Sequence, residues 1–211
     1  SLPQIYGIAI GDLDGDGLAD VVSANADTLH VLHGREDGTL DTPVVYNESP
    51  TTRIVEIVDV NGDDAPDVLA ADRLDMSVRL NNGDGTLGEP SPVETPPNPQ
   101  DFAAADFNGD GHVDLATGNR VSNTFNIFLG AGNGTFSPPM SYPIGNGLVS
   151  RIAAADIDLD GFPDLVAAAN QRIAVVRNNG DGTFGATESY SSPTPRALSV
   201  ADFNHDGAKD L

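Results

Sequence analysis

The chain has 211 residues, enough for a substantial core, and its 32 acidic and 10 basic side chains give a net charge of −22. That balance excludes a nucleic-acid surface, which needs clustered Lys and Arg, and argues equally against an anionic membrane surface. Cysteine is absent, which rules out disulfides and thiolate metal sites, and no apolar run approaches the roughly 18 residues of a membrane span.

The first predicted unit covers residues 4–50. It opens with a short apolar strand, "YGIAIGD", and runs into the acidic stretch "DLDGDGLAD" (12–20). A second strand, "DVVSAN", leaves that stretch and a third, "TLHVLHG", follows. Asp37-Gly38 then supplies the positive φ of a tight turn before a fourth strand, "TPVVYN". The same order returns in units 51–97, 98–147 and 148–193, and residues 194–211 begin a fifth. Their acidic stretches are "DVNGDDAPD", "DFNGDGHVD", "DIDLDGFPD" and "DFNHDGAKD". The five begin at Asp12, Asp59, Asp106, Asp156 and Asp202, spacings of 47, 47, 50 and 46 residues. A second motif keeps phase with them: "REDGTL", "NGDGTL", "AGNGTF" and "NGDGTF", with turns at Asp84-Gly85, Asn133-Gly134 and Asp181-Gly182. No segment sustains a 3.6-residue apolar period between caps, so few helices are expected.

Four short strands on this period predict an all-β chain, a β-propeller of four-stranded antiparallel blades with about 4.5 blades present. The first strands are rich in small residues: Ala9, Gly11, Ala103 to Ala105, Ala153 to Ala155, Ala197 and Ala201. Small residues suit strands crowded near a central axis. A parallel β-solenoid is the rival, but its turns are usually shorter and need no hairpin signal. The whole of 1–211 reads as one repeat domain.

Counting each acidic stretch from its first Asp, positions 1, 3, 5 and 9 are Asp or Asn throughout. They are Asp12, Asp14, Asp16, Asp20; Asp59, Asn61, Asp63, Asp67; and Asp106, Asn108, Asp110, Asp114. The last two sets are Asp156, Asp158, Asp160, Asp164 and Asp202, Asn204, Asp206, Asp210. Carbonyls at position 7, from Leu18, Ala65, His112, Phe162 and Ala208, are expected to add a ligand each. Hard oxygens in a flexible loop select Ca2+, whereas zinc wants nitrogen or sulfur and magnesium a stricter geometry. One Ca2+ per loop, up to five, would offset ten of the 22 net negative charges. An EF-hand fails on two counts, because position 12 is Ser23, Ala70, Thr117 or Ala167 rather than Glu, and the flanks read as strands.

The "D-x-[DN]-x-D-G-x-x-D" loop followed by "NGDGTF" resembles FG-GAP repeats, and more closely the FG-GAP-like, or VCBS, repeats of secreted bacterial proteins. The resemblance covers nearly the whole chain. It implies an integrin-α-like propeller, usually seven-bladed, with calcium in the loop between the first two strands of each blade. Asp64, Leu159 and His205 stand where Gly is usual. Seven blades at this period need about 330 residues. The chain is therefore expected to be a fragment of a longer protein, or to be completed by other chains through open blade edges, as a homo-oligomer or filament. Ser1 in place of an initiator Met fits a processed or cut chain.

The functional expectation is an extracellular, secreted or cell-surface, non-catalytic binding or adhesion module with a protein or glycan ligand. Millimolar extracellular calcium suits weak sites of this kind. Family likeness places the ligand surface on loops away from the calcium, here 72–75, 120–123 and the links 48–53, 96–101, 145–151 and 193–196. The alternatives are a structural subunit of a surface layer or filament, and a polysaccharide lyase or hydrolase. The last lacks a nucleophile constellation: only His30, His33, His112 and His205 are present, and His30 and His33 alternate on one strand. Asn47 and Asn133 head glycosylation sequons, Asn133 being better explained as a hairpin residue. No nucleic-acid partner and no membrane insertion are expected.

Overall fold

The structure, a computed structural model, describes residues 4–25, 27–48, 52–72, 74–96, 98–119, 121–145, 148–193, 195, 197–205 and 209–210. Among them are sixteen strands and no helix. The strands form four sheets, each of four antiparallel strands in chain order. The first holds β1 (Ile5–Gly11), β2 (Asp20–Asn25), β3 (Thr28–Leu32) and β4 (Val44–Asn47). The second holds β5 (Ile54–Val58), β6 (Asp67–Ala71), β7 (Met76–Arg79) and β8 (Ser91–Val93). The third holds β9 (Pro99–Ala105), β10 (Asp114–Asn119), β11 (Thr124–Phe128) and β12 (Met140–Pro143). The fourth holds β13 (Val149–Ala155), β14 (Asp164–Ala169), β15 (Arg172–Asn178) and β16 (Phe184–Ser191). These are the predicted blades of a β-propeller fold. The expected hairpin turns also form: Asp37, Asp84, Asn133 and Asp181 each accept the N–H and hydroxyl of the Thr two residues on.

The chain divides into two compact units, residues 1–95 with 132–135, and residues 96–131 with 136–211. In the first, Val22, Ala24, Leu29 and Val31 of one blade pack against Val55, Val68 and Ala70 of the next, with Leu13 in the same cluster. Burying each of the larger side chains is worth roughly 1.5–3 kcal/mol. The small residues of β1 are required by contact. A Cβ on Gly7 would lie 2.5 Å from the Arg53 carbonyl oxygen, and one on Gly11 would lie 3.0 Å from Ile57. The other face of β1 is bare, with Ile8 58% and Ile10 69% exposed. In the second unit, Phe107, Phe125, Ile127, Val149, Ile152 and Leu165 form the corresponding core. Phe184, the last residue of "NGDGTF", packs edge-on against Phe107 and Tyr142, with centroids 5.6 and 5.5 Å away. Asp101 on β9 accepts the Ile152 N–H at 2.9 Å and so ties two first strands together.

A buried ion pair also joins the two blades of the first unit. Arg79 on β7 meets Glu48, just beyond β4, and both side chains are almost wholly buried. Arg79 donates as well to the Gly88 carbonyl at 2.6 Å and to the Asn47 carbonyl, and lies 5.5 Å over the Tyr46 ring. Replacing Arg79 by Met should leave a buried carboxylate without its partner and cost about 3–5 kcal/mol in urea unfolding. A loss below about 1 kcal/mol would mean that the pair is solvated like a surface bridge.

Candidate metal centre

Each of the first four acidic stretches forms the loop between the first and second strands of its blade, and its own carboxylates fold it. At position 1, Asp12 accepts the Gly15 and Gly17 N–H groups, one per oxygen, at 2.8 and 2.9 Å. Asp59, Asp106 and Asp156 repeat this with Gly62 and Asp64, Gly109 and Gly111, and Leu159 and Gly161. At position 3, Asp14, Asn61 and Asn108 each accept the N–H two residues on. At position 5, Asp16, Asp63, Asp110 and Asp160 do the same for Leu18, Ala65, His112 and Phe162. These turns need positive φ. Asp64, Leu159 and His205, which replace the usual Gly, adopt it at 67°, 64° and 62°, so the loop path survives the substitutions.

Position 9 differs. Asp20, Asp67, Asp114 and Asp164 are essentially fully buried at the first residue of the second strand. One oxygen of each accepts an N–H from position 2: Leu13 at 2.8 Å, Val60 at 3.0 Å, Phe107 at 2.9 Å and Ile157 at 3.1 Å. The other accepts an N–H at the end of the third strand: Gly34 at 2.7 Å, Asn81 at 2.8 Å, Gly130 at 2.7 Å and Asn178 at 2.9 Å. The sequence offered these aspartates only as metal ligands. The structure gives them a second task, fastening the loop to the blade.

In loop one the ligand atoms of Asp12, Asp14 and Asp16 lie within 4.8 Å of one another, as do those of Asp156, Asp158 and Asp164 in loop four. In loops two and three the position-3 amides donate to position 5, Asn61 to Asp63 and Asn108 to Asp110, both at 2.9 Å. In the fifth repeat Asp210 accepts the Phe203 N–H at 3.0 Å, while Asp206 and Ala208 lie outside the described residues, with Asp202 and Asn204 inside. After the backbone donors are satisfied, the carboxylates at positions 1, 3 and 5 keep lone pairs, all on hard oxygen. That donor set fits a hard divalent cation.

Sequence reasoning missed four residues at the ends of the third strands. Asn81 donates to the Leu13 carbonyl of the preceding loop at 2.7 Å and accepts the Gly83 and Gly85 N–H groups. Asn178 donates to the Phe107 carbonyl at 2.8 Å. Only the doubled Asn of "NNGDGT" in the second and fourth units signalled this. His33, read from sequence only as alternating with His30, has Nδ1 3.5 Å from Asp14 and 3.3 Å from Asp20. Arg177 donates to Asp164 at 2.7 Å. His30 instead meets the Thr28 hydroxyl at 3.2 Å.

Away from the loops, described residues of the predicted ligand-bearing segments 48–53 and 72–75 come together in the first unit, while 49–51 lie outside the described residues. Glu48, Thr52, Asp72, Asp75, Met76 and Pro92 line a cleft of about 210 Å³. Arg73 and Arg120, in two predicted ligand loops, lie outside the described residues.

Residues 12–70, 59–117, 106–167 and 156–211 each match the FG-GAP-like repeat, every match running from one acidic loop through the next. The chain belongs to the FG-GAP-like repeat family. A search of the curated proteins finds no match to this FG-GAP-like chain. Among solved structures it is similar to an Agrocybe aegerita lectin that recognises non-reducing terminal N-acetylglucosamine, with 20% identity and a TM-score of 0.66 over 87% of this chain and 51% of the lectin. It is also similar to the V. cholerae biofilm matrix protein Bap1, with 25% identity and a TM-score of 0.55 over 87% of this chain and 28% of Bap1. BBS1N, solved in complex with ARL6DN, aligns with 98% of this chain and 57% of its own at 13% identity and a TM-score of 0.67. The FG-GAP-like chain thus spans about half the length of the lectin it resembles.

Burial pushes the Asp67 and Asp114 carboxyls up; their backbone donors oppose this, and the acids at positions 5 and 1 reinforce it. A carboxyl with a raised folded pKa holds its proton more tightly in the fold than in the unfolded chain. The stability it contributes is full below the ordinary value of 3.8 and is lost as pH rises through the folded values. In chelator, NMR titration should place both midpoints above 3.8, and saturating divalent cation should lower them. Midpoints at or below 3.8 in chelator would contradict the burial account.

Proposed function

We propose that the chain is a calcium-stabilised binding module that works outside the cell, secreted or at a cell surface, in adhesion to a glycan or protein. The observation that carries this reading is the repeated loop, in which acidic side chains satisfy their own backbone and, in loops one and four, still hold unused oxygen lone pairs close together. Positions 1, 3, 5 and 9, with the carbonyl at 7, would hold the ion. Bound calcium would supply the positive charge that these carboxylates lack. The protein groups do the rest. Asx-type turns hold the oxygens in place, and the buried position-9 carboxylate passes any tightening of the loop to the third strand. Weak sites of this chemistry fill at extracellular calcium levels and empty in the cytosol, which supports the location.

The ligand reading rests on the cleft and on the neighbours. The cleft presents the exposed Asp75 beside Pro90 and Pro92, an acceptor next to apolar surface that suits a polyhydroxylated ligand, while the side chains of Glu48 and Asp72 are buried and already bonded within the protein. A lectin and a biofilm matrix protein with the same fold support a glycan or matrix partner. A structural role in a layer or filament is the second reading, favoured by the bare face of β1 with Ile8 and Ile10. No described cluster favours the lyase or hydrolase reading over these two.

Calcium at one hundred times its dissociation constant should add about 2.7 kcal/mol per site, so the melting point should fall clearly in excess EDTA and return with calcium. A melt indifferent to EDTA and calcium would overturn the metal reading. A glycan array including N-acetylglucosamine-terminated chains, run alongside light scattering in calcium, separates the two roles. Binding by a monomer supports recognition, and calcium-dependent polymers without glycan binding support the structural role.

A further inference from the structure

The ligand positions of the first four loops differ in charge in a patterned way. Loops one and four have Asp at position 3, namely Asp14 and Asp158, where loops two and three have Asn61 and Asn108. The residue just before each third-strand N–H that binds position 9 differs in step. It is His33 and Arg177 opposite the Asp loops, and Leu80 and Leu129 opposite the Asn loops. The matching is physical. Arg177 Nη1 donates to Asp164 Oδ2 at 2.7 Å, and its Nε lies 3.8 Å from Asp158 Oδ2. Asp164 therefore accepts three N–H groups, from Ile157, Asn178 and Arg177, out of about four lone-pair directions. Asp67 and Asp114 accept two each from the backbone. At the ligand positions, the fourth acid of loop four is thus offset by one guanidinium, which brings them to the net −3 of the ligand positions in loops two and three.

We propose that Arg177 is a built-in counter-ion that sets the calcium affinity of loop four, and that the Asp158–Arg177 pair is exchangeable for the Asn–Leu pair of loops two and three. The proposal rests on the reading of the loops as calcium sites. Arg177 neutralises the extra acid and fills a lone pair of Asp164 that a metal could otherwise use. Loop four is thereby held together without metal, and its calcium affinity is kept level with its neighbours. Arg177 is a positioning residue: it acts through Asp158 and Asp164.

The test is a cycle of Arg177→Leu, Asp158→Asn and the double variant in the full chain. Calcium is titrated by calorimetry, and melting is followed in EDTA. Arg177→Leu should lower the melting point in EDTA by about 3 °C or more and tighten the affected calcium site roughly tenfold. Asp158→Asn should weaken that site, and the double variant should return both readings to near native. An Arg177→Leu variant with unchanged EDTA stability and calcium isotherm overturns the proposal, as does a double variant whose melting point in EDTA stays as low as that of Arg177→Leu. If no calcium binding is found even in the native chain, the metal reading falls by itself. The EDTA melts then still decide the counter-ion: loss and recovery support it, and no loss overturns it. Should Arg177→Leu fail to fold alone, recovery of folding in the double variant supports the pairing, and failure of both overturns the exchange.

Discussion

The fold of each blade depends on one buried carboxylate. Asp20, Asp67, Asp114 and Asp164 each accept one N–H from the acidic loop and one from the end of the third strand. A buried charge is tolerable only where its lone pairs are met, and two backbone donors meet part of that need. The remainder is met in Asp164 by Arg177. Structural latch and candidate metal ligand are therefore the same atoms, and metal binding in these loops would act directly on blade stability.

Around that latch, the repeats solve one packing problem in two ways. At the residue that donates to position 9, the first and third units use glycine and the second and fourth use asparagine. A Cβ on Gly34 would sit 2.6 Å from the Ala19 carbonyl oxygen, and one on Gly130 would sit 2.1 Å from that of Val113. Asn81 and Asn178 convert the same place into a hydrogen-bond hub that holds the turn after it and reaches the loop of the preceding blade. The turn aspartates Asp37, Asp84 and Asp181 are a separate class. They are exposed, and the Thr hydroxyl and N–H beside each lower its pKa, so they remain ionised without a metal.

The two candidate sites of the first unit lie at opposite ends of its strands. The acidic loops join first to second strands, whereas the cleft of Glu48, Thr52, Asp72 and Asp75 lies where the second strand turns into the third. Glu48, held by Arg79 from the other end of β7 and by the Ser77 hydroxyl at 3.3 Å, fixes one wall of the cleft. A rigid wall of this kind limits the ordering that a ligand must impose.

By itself the sequence determined what depends on neighbours along the chain: the period, the four strands, the Asp-Gly turns, and loops whose acids fold back on N–H groups two to five residues away. Such contacts recur in every unit, so repetition made them legible. The tertiary structure alone decided what depends on distant residues. Asn81 reaches Leu13 across 68 positions and Asn178 reaches Phe107 across 71. Arg79 meets Glu48 across 31. The burial of position 9, the seating of His33 and Arg177 over the acids, and the bare face of β1 were likewise invisible in one dimension. Each is set by which strand end or blade is packed alongside, and a charge or an isoleucine reads the same in sequence whether it is covered or not.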